Sequence, residues 1–143
     1  MRAWKTTAAM LLSLGCVASA AAADYSGVYD CKGLDAHEGP YDGIVTLERV
    51  PAHSKAGFDA YLFTLEVPGF GRYPGEAVAQ GKTLAIHFAL DQPGSDDHGT
   101  GLAHIQRDAK GRWQFKKFYF EPAYKGGNTG TETCTWRAAI SKR

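Results

Sequence analysis

Gly27-Val28-Tyr29-Asp30-Cys31-Lys32 near the start of the chain and Thr131-Glu132-Thr133-Cys134-Thr135-Trp136 near its end decide the fold. Both stretches read as strands, the second running on to Ile140, and each holds one cysteine. A disulfide needs Cα atoms within about 7 Å, so a Cys31–Cys134 bridge makes the first and last strands neighbours. An open meander keeps its first and last strands apart, whereas a closed barrel sets them side by side. The prediction is an all-β protein: a small eight-stranded antiparallel up-and-down barrel whose first and last strands are joined by a disulfide.

Six further segments read as strands between those two: Gly43 to Val50, Ala60 to Val67, Gly75 to Ala79, Thr83 to Leu90, Gly101 to Arg107 and Arg112 to Glu121. The third strand alternates, with Tyr61, Phe63, Leu65 and Val67 on one face. Leu84, Ile86, Phe88 and Leu90 do the same in the fifth. In the seventh, Trp113 and Phe115 are out of step with Phe118 and Phe120. A β-bulge at Lys116-Lys117 is expected to return all four aromatics to one face. The longest helix expected after the leader is a single turn near Asp35-Ala36-His37-Glu38. Pro68-Gly69, Gln80-Gly81-Lys82 and Asp108-Ala109-Lys110-Gly111 read as turns.

The chain has 143 residues, 44% of them hydrophobic and 22% charged, which fits one ordinary domain. Arg2 and Lys5, an apolar run from Ala8 to Ala18 and a string of alanines resemble a secretory signal peptide. Residues 1–23 are therefore expected to be a removable leader, with the cut after Ala20, Ala22 or Ala23, and residues 24–143 the single barrel domain. Ser13, Gly15 and Ser19 interrupt the run, against a transmembrane anchor. Lipidation of Cys16 is the alternative to simple cleavage. Of the 16 Lys and Arg, two lie in the leader, which leaves 14 against 15 Asp and Glu. That balance offers no basic footprint for nucleic acid or anionic lipid. With Cys16 gone, Cys31 and Cys134 have only each other, and a bridge implies a periplasmic or secreted location.

No catalytic constellation stands out. Ser26, Ser54, Ser95 and Ser141 lack a nucleophile elbow, and Lys125-Gly126-Gly127-Asn128-Thr129-Gly130 lacks the ending of a P-loop. A converging pair of carboxylates among Glu48, Glu66, Glu76 and Glu121 is the enzymatic alternative. Asp96, Asp97 and His98 form the candidate metal site, set against a plain acidic loop. His87 and His104 meet if the fifth and sixth strands pair. No cofactor is expected. Aromatic and polar residues on glycine-flanked loops, Phe70, Arg72 and Tyr73 together with Tyr124, Lys125 and Asn128, are the candidate binding residues.

Gly27-Val28-Tyr29-Asp30-Cys31-Lys32-Gly33, Phe118-Tyr119-Phe120-Glu121-Pro122 and the segment from Lys125 to Cys134 resemble small exported bacterial proteins of unassigned function. The Gly-x-Tyr start and closing last strand are similar in outline to lipocalin-like and avidin-like barrels. That resemblance implies a barrel with a small hydrophobic ligand inside. The residues themselves imply an exported, non-enzymatic binding protein, its partner an envelope protein or a small ligand.

Overall fold

The computed structural model describes residues 22–141. The expected leader and Cys16 lie outside that range, save the last two residues of the leader. Strands run Gly27–Asp35 (β1), Gly39–Arg49 (β2), Asp59–Val67 (β3), Gly71–Gln80 (β4), Thr83–Ala89 (β5), His98–Arg107 (β6), Trp113–Glu121 (β7) and Asn128–Ala138 (β8). Each strand pairs antiparallel with the next, and β8 returns to β1, which closes the barrel. Short 3₁₀ turns at Pro51–His53 and Tyr124–Gly126 are the helical elements among the described residues.

At the closing seam Cys31 lies directly opposite Cys134, and the two are bonded across a sequence separation of 103 residues. Both cysteines point inward. Strand side chains alternate in direction, so this pair sets which residues of β1 and β8 face the interior.

The barrel is filled through its middle. Tyr29, Val45, Leu47, Tyr61, Phe63, Leu84, Ile105 and Phe115 are buried, from all strands but β4 and β8. One end is plugged by the segment before β1. Tyr25 is buried there, its ring edge-on to Trp113 at 4.9 Å, and its hydroxyl donates to the Gly81 carbonyl at 2.7 Å. Tyr29 in turn donates to the Tyr25 carbonyl at 2.6 Å.

Three local expectations are corrected. β7 has no bulge: its pairing with β6 and β8 runs without a shift. Phe115, Lys117, Tyr119 and Glu121 therefore face inward, while Phe118 and Phe120 are 53% and 46% exposed. Lys117 can point inward because Glu132, its register partner on β8, also points inward. The segment from Asp35 to Glu38 is a hairpin turn, not a helical one. The Asp35 carboxylate accepts the His37 and Glu38 amides at 2.8 and 2.9 Å, a local bond that competes with helix. β4 begins at Gly71 rather than Gly75, which draws Tyr73 out of the expected loop and into the sheet. Pro74 is tolerated because the β4–β5 ladder starts only at Gly75, beyond its missing N–H. Among the described residues no helix is long and apolar enough to cross a membrane.

Removing the bridge should be costly, because it closes a long loop at the one seam that local hairpins do not supply. We expect the Cys31→Ala/Cys134→Ala variant to lose about 2–5 kcal/mol. Urea denaturation followed by circular dichroism checks this, and an unchanged midpoint would show that the hairpins alone hold the seam.

Candidate functional site

The end opposite the Tyr25 plug is open. A cavity of about 80 Å³ lies there, within about 530 Å³ of empty space that includes the open mouth. Its walls come from the ends of β1, β3, β5 and β7, the starts of β2, β4 and β8, the segment before β6 and the Tyr124 turn. Tyr41, Phe70, Tyr73, Phe88, Tyr119 and Tyr124 supply rings, and Asp35, Glu38, Asp97, Lys117, Glu121 and Glu132 supply charge. Two inward glycines make room for the rings. A side chain at Gly33 would collide with the Tyr41 ring, and one at Gly130 with the Tyr119 ring.

At the base, Lys117 and Glu132 form a fully buried ion pair with Nζ and Oε2 2.7 Å apart. Tyr41 donates to the other carboxylate oxygen of Glu132. The approach of Nζ to Oε2 is too bent for an aligned hydrogen bond. The ammonium is also surrounded by Phe63, Phe88 and Tyr119, whose ring centroids are 5.2, 5.2 and 5.3 Å away. Cation–π attraction replaces part of the lost hydration.

Above that pair lies a network of carboxylates. Tyr119 donates to Asp35 Oδ2 at 2.7 Å, and Tyr73 donates to Asp97 Oδ2 at 2.9 Å. Asn128 Nδ2 donates to both Asp35 Oδ2 at 2.7 Å and Glu121 Oε2 at 2.5 Å. On the rim, Tyr124 donates to Glu38 at 2.7 Å, and Lys125 pairs with the same carboxylate. Two buried acceptors are left without any partner, Asp97 Oδ1 and Asn128 Oδ1.

Environment separates these acids. Burial pushes Glu121 up to about 7, helped by the charges of Asp97 and Asp35 and opposed by the bond from Asn128. Burial likewise raises Asp97. Burial acts upward on Asp35 too, but hydrogen bonds from Tyr119, the Glu38 amide, Asn128 and the His37 amide outweigh it and hold Asp35 below the usual carboxylate range.

The expected binding residues divide as follows. Tyr73 and Asn128 are buried in the network, and Phe70, Tyr124 and Lys125 stand at the mouth. Arg72 points outward, 3.4 Å from Asp91 and 4.0 Å from Glu66. The expected metal trio does not converge. Asp97 turns into the mouth while Asp96 and His98 are exposed, with His98 Nδ1 2.8 Å from the Asp96 carbonyl. His87 and His104 lie on paired strands but face Thr100 and Thr83 rather than each other. Among the described residues, the one set of His, Cys, Asp and Glu ligand atoms that converges is Cys31, Glu132 and Cys134, whose sulfurs are spent in the disulfide. Sequence reasoning missed Asp35, Tyr41, Lys117, Tyr119 and Glu132 as mouth residues. The unbroken alternation Trp113, Phe115, Lys117, Tyr119, Glu121 was the available signal.

The chain matches no family model and no curated protein. It is similar in fold to a solved structure titled "Structure of EF1p2_mFAP2b bound to DFHBI". That likeness has a TM-score of 0.50 and 11% identity, and it covers 78% of this chain and 93% of that one. At this identity the likeness concerns fold alone.

The buried pair makes a double-mutant prediction. Lys117→Met strands a buried carboxylate and should cost about 3–5 kcal/mol, whereas Lys117→Met with Glu132→Leu should cost much less than the sum of the singles. Additive losses in chemical denaturation would show that the two charges do not interact. Glu121 makes a second prediction. Between about pH 4.5 and pH 7 its folded form keeps a proton that the unfolded chain has released, so stability should fall as pH rises through that window. Glu121→Gln should raise stability at pH 8 by about 2 kcal/mol, allowing for water at the open mouth, and flatten the slope between about pH 5 and pH 8. Identical pH profiles for the two proteins would refute this.

Proposed function

We propose that this protein is a binding protein that takes a small ligand at the open mouth of its barrel. The observation that carries the reading is the pair of buried, unpartnered acceptors, Asp97 Oδ1 and Asn128 Oδ1, in or beside an aromatic-walled cavity. A buried polar atom without a partner costs about 1–3 kcal/mol, and a ligand that donates to it recovers that cost on binding. Of the two occupants expected from the sequence, a protein partner or a small ligand, a concave site with convergent polar groups favours the second.

The filled middle of the barrel narrows the choice. A cavity of about 80 Å³ admits a head group and leaves the rest of the ligand against Phe70 and Tyr124 on the rim. A whole lipid chain inside the barrel does not suit it, since an apolar cavity that takes benzene measures about 150 Å³. Export to an oxidising compartment is part of the proposal, supported by the leader-like pattern of residues 1–23 and by the disulfide. The solved barrel bound to DFHBI is an analogy of fold only.

Protein-observed NMR against a mixed fragment library tests the proposal. Expected hits move the amides of Asp35, Tyr73, Asp97, Glu121 and Lys125 and leave those around Tyr25 unmoved. A library that yields no shifts at the mouth, or only scattered ones, would overturn it.

A further inference from the structure

We propose that the ligand head group is an organic cation, an ammonium or a guanidinium, held by Asp97, Glu121 and Asp35 inside the ring of tyrosines. This rests on the mouth being a ligand site, and it names what that site selects.

Most of the hydrogen-bonding groups at the mouth are already in use. Four tyrosine hydroxyls around the mouth all donate to carboxylates: Tyr41 to Glu132, Tyr73 to Asp97, Tyr119 to Asp35 and Tyr124 to Glu38. The Asn128 amide nitrogen is engaged by Asp35 and Glu121. What is left over in the network above the base is acceptor capacity, on Asp97 Oδ1 and Asn128 Oδ1, residues that are only 6% and 3% exposed, while the unbonded donor, Lys117 Nζ, is held at the base 2.7 Å from Glu132 Oε2 and ringed by aromatic side chains. A ligand that completes the network of Asp35, Asp97, Glu121 and Asn128 must therefore donate.

Charge points the same way. Lys117, the cation nearest the network, is paired with Glu132 at the base, and Lys125 on the rim is paired with Glu38. Asp35, Asp97 and Glu121 have tyrosine and asparagine donors but no ion-pair partner. Like charges crowded beside low-dielectric walls favour the entry of a positive group. The walls suit it as well, because the faces of Tyr73, Phe88, Tyr119 and Tyr124 carry the negative side of their ring quadrupoles. The same surround already accommodates the Lys117 ammonium at the base.

A bare divalent ion suits the site less well. Calcium needs several oxygens at about 2.3–2.6 Å, and the oxygens of Asp35, Asp97 and Glu121 do not converge on one point. A head group with several N–H donors reaches oxygens that are spread apart. Glu121 then makes affinity depend on pH. It faces Asp35 on β1, Tyr73 on β4, Asp97 before β6, and Lys117 and Tyr119 on its own strand. Its proton must leave for the site to carry full negative charge.

A matched series tests the class: phenethylamine, 2-phenylethanol and 3-phenylpropionate, titrated by calorimetry into the full-length protein, with NMR to place each at the mouth. Phenethylamine should bind at least about tenfold more tightly than the alcohol, and the carboxylate should not bind. Asp97→Asn should weaken phenethylamine about tenfold. Going from pH 8 to pH 5.5 should weaken it several-fold in the wild type and much less in Glu121→Gln, where only the raised Asp97 is left to titrate, which keeps the test open if Asp97→Asn does not fold. Equal or tighter binding of the alcohol or the carboxylate at the mouth would overturn the cation while leaving the ligand site standing. The cation also falls if library fragments reach the mouth and phenethylamine does not. If neither reaches it, the ligand site itself fails.

Discussion

The bond between Cys31 and Cys134 joins facing positions on the two strands that close the barrel, and the arrangement of the mouth follows from it. Counting by twos from Cys31 reaches Gly33 and then Asp35. Counting back by twos from Cys134 reaches Glu132, Gly130 and Asn128. The parity that buries the cysteines thus carries an aspartate, a glutamate and an asparagine to the same end, with two glycines that leave space for the Tyr41 and Tyr119 rings. The seam and the polar mouth are two results of one register.

Most of the fold was legible in the sequence because β3 and β5 alternate in the plainest way, and because two cysteines near opposite ends of one chain restrict the topology. At β7 the sequence pattern misleads for a specific reason. Apolar residues favour the interior, and only a bulge puts Phe118 and Phe120 there. The charge on Lys117 argued for the outside as long as the strand was read alone. Its counter-charge, Glu132, is 15 residues further on and lies opposite it only once β7 and β8 are paired. A one-dimensional pattern carries no information about that neighbour. Tyr73, Tyr124 and Asn128 read as loop residues in the sequence, yet Tyr73 and Asn128 act from inside the sheet. Asp97 was grouped with Asp96 and His98, although residues adjacent in a nearly extended segment point in opposite directions.

The two ends of the barrel are built from different physics. The plugged end is aromatic, with Tyr25, Tyr61 and Trp113 packed together and the two tyrosine hydroxyls tied to nearby backbone. The open end holds partly frustrated acids, one of them titrating near neutrality. Concentrating unfavourable charge at one end is tolerable because the filled middle and the cross-linked seam stabilise the rest.

Closure has a consequence for how the molecule behaves at high concentration. Each described strand has a neighbour on both sides, so the barrel presents no row of free N–H and C=O groups along an edge. The outer wall does expose Leu62, Leu102, Phe118 and Phe120. On an open sheet, such a wall beside an unpaired edge would template strand addition and fibril growth. Here neighbouring copies meet only side chain to side chain, and the sheet cannot propagate from one molecule to the next. That protection lasts as long as β1 and β8 stay together, so the covalent seam guards against amyloid as well as against unfolding.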